Sequence, residues 1–331
     1  MFYYLFVGII SFISFYSTYK FSKKYNLLDY PNLGRKKHKI PTPYTGGLAI
    51  YLTIILAIIF GYPNKEIKNL IFFSFFILFL GFIDDKYKLS VKKRVIFQII
   101  CFLIPIIDGF VVKNLGTVNT FGSLELGYFA VIFTIISAGI LTNAFNYIDG
   151  KDGLASSLFL NSLLLLILFL LFAQREIDKI LILLFIIVII FIFFNLNFLG
   201  LPKLFLGDNG SLFLGYVLSF LLIYLTQNKN YLEPALIIWS IPFIIYEFIA
   251  TNFIRVLKLQ NPFKAGVDHV HFYLDKKYGL YKTLFLINFL NILLGFIGYF
   301  IWKNLGNSYS LILFIILFFC YFFLRKTLKV Y

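Results

Sequence analysis

Only two cysteines occur in 331 residues, Cys101 and Cys320, and both sit inside apolar runs. Thiols so placed offer neither a disulfide framework nor a metal site, and they read as buried and inert. A cleavable secretory leader is also missing. Phe2–Tyr19 has no basic stretch before it and no A-x-A-like site after it, so it reads as a permanent first span. No internal repeat or low-complexity linker interrupts the chain, which leaves residues 1–331 as a single domain. Short alternating apolar segments, the mark of a membrane barrel, are absent.

What is present is long apolar sequence. Hydrophobic residues make up 60% and aromatics 21% of the chain, and mean hydropathy is +0.89. A soluble domain is about 45–50% apolar. The pattern predicts an all-α polytopic membrane protein with eleven transmembrane helices. They are Phe2–Tyr19, Gly46–Tyr62, Leu70–Ile83, Val95–Val112, Gly127–Asn143, Leu154–Phe172, Ile180–Phe194, Leu212–Thr226, Pro234–Phe253, Thr283–Trp302 and Tyr309–Leu324.

Net charge is +15, which in a soluble protein would suggest a nucleic-acid partner. In a membrane chain it follows from the bias of Lys and Arg toward cytoplasmic loops, and no nucleic acid is implied. Loops 20–45, 84–94, 144–153, 195–211, 254–282 and 325–331 hold 23 of the 30 basic residues; the loops on the other side hold 7. The richer side is assigned to the cytoplasm, which puts the N-terminus outside and the C-terminus inside. His38, His269, His271, Asp84, Asp85, Asp149, Asp152, Asp208 and Asp268 all fall on that side. The positive-inside effect does not draw acids inward, so their gathering points to chemistry at the cytoplasmic face.

Five stretches carry that chemistry. "GFIDDKYKLS" ends a span with Asp84 and Asp85, either as a solvated loop or as a pair in which one carboxylate binds Mg2+ and the other accepts a proton. "LTNAFNYIDGKDGLAS" repeats polar residues every three positions: Asn143, Asn146, Asp149 and Asp152. On a helix the first three share a face. Gly150 and Gly153 then break the helix and admit a ligand close to the backbone. The bland reading is a pair of Asx-rich caps, but amides and acids at membrane depth are expensive outside a polar cavity.

"KLFLGDNGSLFLG" sets Asp208 at a helix start, as an ordinary N-cap or as a metal ligand where phosphates bind. "NPFKAGVDHVHFYL" holds Asp268, His269 and His271, without the i, i+4 spacing of helical zinc ligands. Its imidazoles, beside Lys264, suit a diphosphate or a leaving group. "GRKKHKIPTPYTGGLAI" is either plain juxtamembrane basicity or a Pro-rich turn pinning Lys39 against the active face. Glu247, inside the ninth span, can reach Arg255 only if one side chain stretches. Asp108, Glu125, Glu66, Glu176, Asp178 and Glu233 read as solvated surface on the outer side.

Together these stretches resemble the polyprenyl-phosphate N-acetylhexosamine-1-phosphate transferases, a family related to the phospho-N-acetylmuramoyl-pentapeptide transferases. "HKIPTPYTGG", "GFIDDKYK", "NAFNYIDGKDGLA" and "KLFLGDNGSLFLG" are similar to its motifs in order, from Asp29 to about His271. The histidine motif departs: Val267 stands near the family's arginine position and Phe272 at its last histidine. The Pro-Phe context and His-x-His spacing lean toward the sugar-only branch.

The resemblance implies transfer of a sugar-1-phosphate from a UDP-N-acetylhexosamine to a polyprenyl (undecaprenyl) phosphate, releasing UMP. This would be the first membrane step of a cell-surface glycan, in a bacterial inner membrane. It implies Mg2+, with Mn2+ as substitute, and is compatible with a homodimer. Asp208 is then expected to bind the metal, with Asp85 in or near its shell, and Asp84 to accept a proton. Asn143, Asn146, Asp149 and Asp152 would orient the nucleotide, with Asp268 among the substrate contacts. Lys39, His269 and His271 would contact the diphosphate. The rival class is a transporter or lipid flippase, which predicts broken helices deep in the bilayer and repeated halves. A lipid-binding scaffold would leave the Asn/Asp series without a role.

Overall fold

The computed structural model describes residues 2–31, 40–62, 64–118, 122–262 and 266–328. His38, Lys39 and Lys264 lie outside the described residues. Within a bilayer each backbone N–H and C=O must be satisfied by its own segment or by a closed barrel, and every apolar run is accordingly helical. The chain is an all-α multi-pass membrane protein, with two small hairpins among the described residues.

The first helices are α1 (Phe2–Lys24), α2 (Gly46–Ile59), α3 (Lys65–Tyr87) and α4 (Val91–Ile107). Between α1 and α2, β1 (Leu28–Asp29) pairs antiparallel with β2 (Thr42–Pro43). A second hairpin, β3 (Asn114–Val118) with β4 (Gly122–Glu125), follows α4. Then come α5 (Ala130–Ile148), α6 (Leu154–Phe172), α7 (Lys179–Asn195) and α8 (Gly207–Ile223). The chain ends with α9 (Pro234–Ile237), α10 (Pro242–Leu257), α11 (Val270–Tyr278), α12 (Leu280–Leu305) and α13 (Asn307–Thr327).

Among the described residues, 7 helical segments are long and apolar enough to cross a membrane, or 8 if one bent pair counts as a span. That pair, Pro234–Ser240 with Pro242–Leu257, turns through 80° where Pro242 withholds a backbone donor. The helices α2 and α7 are shorter, at 14 and 17 residues.

The core is α8, whose spanning window is 100% buried. Lipid tails supply no hydrophobic drive between helices, so close approach depends on small residues. A Cβ on Gly81 of α3 would run into the Asn209 backbone, and one on Gly215 would lie 2.7 Å from Thr142 Cα of α5. Polar pairs add specificity: Asn161 of α6 donates to Asn288 Oδ1 of α12 at 2.6 Å.

Two expectations are corrected here. Asp178 is not merely solvated: it accepts from Tyr62 Oη at 2.5 Å and Tyr224 Oη at 3.1 Å, and caps α7 through Ile180 N at 3.1 Å. Of the two free cysteines only Cys101 is buried; Cys320 is exposed, because α13 lies at the rim of the bundle.

Candidate active site

The site is built at the end of the bundle where α3 and α5 finish and α8 begins. The third span, expected to stop at Ile83, runs on to Tyr87, so Asp84 and Asp85 lie within the last turns of α3. Each carboxylate has donors in place. Asp84 is buried; it accepts from Leu89 N at 2.8 Å and from Arg94 Nη1 at 3.1 Å. Both its oxygens are thereby engaged. Asp85 accepts from Asp208 N at 3.0 Å, Asn209 N at 3.1 Å and Asn209 Nδ2 at 2.7 Å. It caps α8 from another helix, placing negative charge at the positive end of the α8 dipole.

Asp208 stands in the first turn of α8, partly exposed, and accepts from Asn146 Nδ2 of α5 at 2.8 Å. The same amide nitrogen donates to Ser211 Oγ at 3.1 Å. Asp208 also faces the cations of Lys88 and Arg94. Gly207 has φ +75°, and a Cβ there would come within 2.9 Å of Asp85 Oδ2, so the turn requires glycine.

Asn143, one turn back, exchanges hydrogen bonds with Gln98 of α4 at 2.9 and 3.3 Å. The shared helix face therefore serves two purposes, α4 packing at Asn143 and the acidic cluster at Asn146.

Asp149 ends α5, and no hydrogen bond to its carboxylate is found among the described residues. Burial pushes its carboxyl well above the usual range, and the charges of Asp208, Asp85 and Asp152 push the same way. Asp152 pairs with Lys203 at 2.5 Å. The loop between them is pinned by Asn195, which accepts from Gly153 N and donates to Leu204 O at 2.7 Å. The Pro-rich turn closes the same wall: Phe205 N donates to Pro43 O at 2.8 Å, and Gly46 N to Phe205 O at 2.9 Å.

The histidine segment approaches from the other side. Arg255 of α10 binds Asp268 with two hydrogen bonds, at 2.8 and 2.6 Å, so the arginine that Glu247 could have met only by stretching is taken by Asp268. Burial alone would raise the Asp268 carboxyl, but Arg255 holds it below the usual range. Glu247 pairs instead with Arg325 of α13 at 3.2 Å. The His269 and His271 rings stack, 5.3 Å apart and 3° from parallel. A Cβ on Gly150 would lie 2.6 Å from His271 Nε2, so His271 rests on the turn that carries Asp149. Among the described residues neither ring nitrogen of His271 has a hydrogen-bond partner. Burial and the neighbouring His269 lower its pKa to about 3.

Asp85, Asp149 and Asp208 thus arrive from three helices and act on one another electrostatically. Hard oxygen donors of this kind suit Mg2+. Among the described residues no group of three or more His, Cys, Asp or Glu is arranged to hold a metal unaided. Mg2+ commonly takes one or two carboxylates plus substrate phosphates.

Residues 67–226, from α3 through α8, match the model of glycosyl transferase family 4. The undecaprenyl-phosphate alpha-N-acetylglucosaminyl 1-phosphate transferase of Escherichia coli (strain K12) is 30% identical over 264 residues, 76% of this chain and 70% of that protein. The chain belongs to glycosyl transferase family 4. The Yersinia pestis protein of the same description is 28% identical over 276 residues, 81% of this chain and 74% of its own length. A Bacillus subtilis (strain 168) protein, described as a probable undecaprenyl-phosphate N-acetylglucosaminyl 1-phosphate transferase, is 29% identical over 254 residues, 75% of this chain and 69% of its own.

The family 4 match contains every acid of the cluster and stops short of His269 and His271. Sequence reasoning passed over Asn195, Gln98, Lys203 and Arg325. Asn195 left a trace, an amide closing an apolar run; the other three look like ordinary span-edge residues.

Proposed function

We propose that this family 4 member transfers an N-acetylhexosamine-1-phosphate from a UDP-sugar to a polyprenyl phosphate, in a bacterial inner membrane. The relatives' descriptions make UDP-N-acetylglucosamine and undecaprenyl phosphate the first pair to test. The observation that carries the reading is the convergence of Asp85, Asp149 and Asp208 at one end of the bundle, with cations close by.

An oxygen of the lipid phosphate attacks the β-phosphorus of the UDP-sugar. A new P–O bond forms, the bond from that phosphorus to the bridging oxygen breaks, and UMP leaves with the bridging oxygen. One phosphoanhydride replaces another, so the protein's work is to gather two anions and align them. The lipid phosphate is largely ionised near pH 7, its second pKa being about 6, and needs little help from a base. The engaged oxygens of Asp84 suit it to ordering the α3–α4 corner through Arg94.

When bound, Mg2+ (or Mn2+) neutralises diphosphate charge; Asp208 and Asp85, with Asp149 beside them, are the residues to hold it. Asn146 orients the Asp208 carboxylate. Asp152 with Lys203 borders the nucleotide, Asn143 steadies α5 against α4, and Asp268 sets the histidine segment whose His269 and His271 meet the diphosphate.

In this reading all eleven apolar helical segments cross the membrane. The 23-to-7 division of Lys and Arg supports a site at the cytoplasmic face, with the N-terminus outside. The bent pair found among the described residues is a feature a transporter would share. The deciding experiment uses the purified chain in nanodiscs with undecaprenyl phosphate and UDP-N-acetylhexosamines, with and without Mg2+. UMP release requiring both lipid and metal is expected. Its absence with every such donor removes the proposal.

A further inference from the structure

The rim helix α13 turns two polar side chains inward at its C-terminal end. Tyr321 Oη donates to Glu247 Oε2 at 2.6 Å, and Arg325 Nε donates to the same oxygen at 3.2 Å. Arg325 Nη2 also donates to the backbone carbonyl of Asp268. The other Glu247 oxygen accepts from Thr251 Oγ1 at 3.1 Å and Val270 N at 2.9 Å, and lies 3.4 Å from His269 Nδ1.

Glu247 is 0% exposed and Arg325 5%. A carboxylate offers about four acceptor positions, and protein donors fill those of Glu247. It therefore works as an anchor and does not meet substrate. Asp268 and Val270, the residues flanking His269, are both tied to this anchor. Removing Arg325 would leave the Glu247 charge buried without its cation, the costly way to break an internal ion pair. Arg255 still grips the Asp268 side chain, so the segment would loosen and not detach.

We propose that Arg325 and Tyr321 are positioning residues. Through Glu247 and the Asp268 carbonyl they latch the end of α13 onto the histidine segment and hold His269 and His271 over the Asp149–Gly150 turn. The kinetic consequence rests on the reading above that these histidines meet the diphosphate; the structural consequence does not.

The test uses the full chain in nanodiscs, as wild type, Arg325→Gln, Arg325→Lys, Tyr321→Phe and, as control, the exposed neighbour change Lys326→Gln. The structural readout is diethyl pyrocarbonate modification of His269 and His271, followed by peptide mass spectrometry. Both rings are buried in the wild type and should react slowly. In Arg325→Gln local opening should speed modification about tenfold or more, with Tyr321→Phe and Arg325→Lys, which keeps the charge but loses the forked donors, intermediate and Lys326→Gln close to wild type. The kinetic readout is a fall in kcat of about tenfold in Arg325→Gln with donor KM changed much less, the signature of lost transition-state positioning. Should Arg325→Gln fail to fold, Tyr321→Phe, which keeps the ring and loses one donor, decides. Histidines as protected in the folded variants as in wild type overturn the latch. Faster modification in Arg325→Gln when the wild type itself releases no UMP upholds the latch and removes the transferase reading instead.

Discussion

Replacing Asp85 by Asn separates its work as a clamp on α8 from its work at the metal. The native carboxylate takes one donor on Oδ1, Asp208 N at 3.0 Å, and two on Oδ2, Asn209 N at 3.1 Å and Asn209 Nδ2 at 2.7 Å. An amide keeps its oxygen best on the Asn209 side, which turns its NH2 against the Asp208 N–H. One charge-assisted hydrogen bond is lost, worth about 1.5–3 kcal/mol, and the other two weaken to roughly half as they become neutral. The three losses sum to about 3–6 kcal/mol; relief of the repulsion between Asp85 and Asp208 offsets part of this, leaving a drop of about 3–7 °C in apparent melting temperature. Asp208→Asn is the natural comparison. Its carbonyl oxygen keeps the one side-chain donor, Asn146 Nδ2 at 2.8 Å, and it relieves repulsion with Asp85. Stability should hold within about 1 kcal/mol while UMP release falls about a hundredfold or more. The assays are thermal unfolding in detergent, with and without Mg2+, and UMP release. If Asp85→Asn melts with the wild type while being equally inactive, the clamp is refuted.

Acid should weaken the fold through His271. It stays neutral in the folded chain down to about 3 against 6.5 when unfolded, so between those values the unfolded chain binds more protons. Stability is then lost as pH falls from 6.5 toward 3, by at most about 1.4 kcal/mol per pH unit. His271→Gln should flatten this slope in melting curves taken from pH 7 to 5; parallel curves would count against the buried neutral imidazole. Asn195→Ala leaves the Gly153 N–H and the Leu204 carbonyl without their shared partner. It should cost about 2–4 kcal/mol, from two buried backbone groups at about 1–2 each, and lower kcat. Unchanged melting and turnover would show that other contacts hold the loop.

The apolar runs made the helices legible, because backbone satisfaction in lipid leaves a long apolar segment few alternatives. Asp84, Asp85, Asn146, Asp149 and Asp208 were legible as unusual polar residues at span ends, where solvation alone gives them no reason to cluster. Their partners were not. Asp85 caps a helix 123 residues away, and Arg325 meets Glu247 across 78 residues. No local pattern encodes such distances, so the only arginine that could be weighed for Glu247 was Arg255, within reach only of a stretched side chain. Arg325 itself looks like any basic residue that closes a span, and Asp178 like any acid between two. In both cases the decisive term is a tertiary partner, and single-sequence periodicity is blind to it.

The unequal setting of the two thiols has a practical outcome. Cys101 is enclosed between helices, whereas Cys320 opens outward beside Tyr321. A thiol-directed spin label on the unmodified chain would therefore settle on the rim helix, one residue from the side chain that grips Glu247. Its line shape offers a native gauge of whether that helix end tightens when nucleotide and lipid arrive.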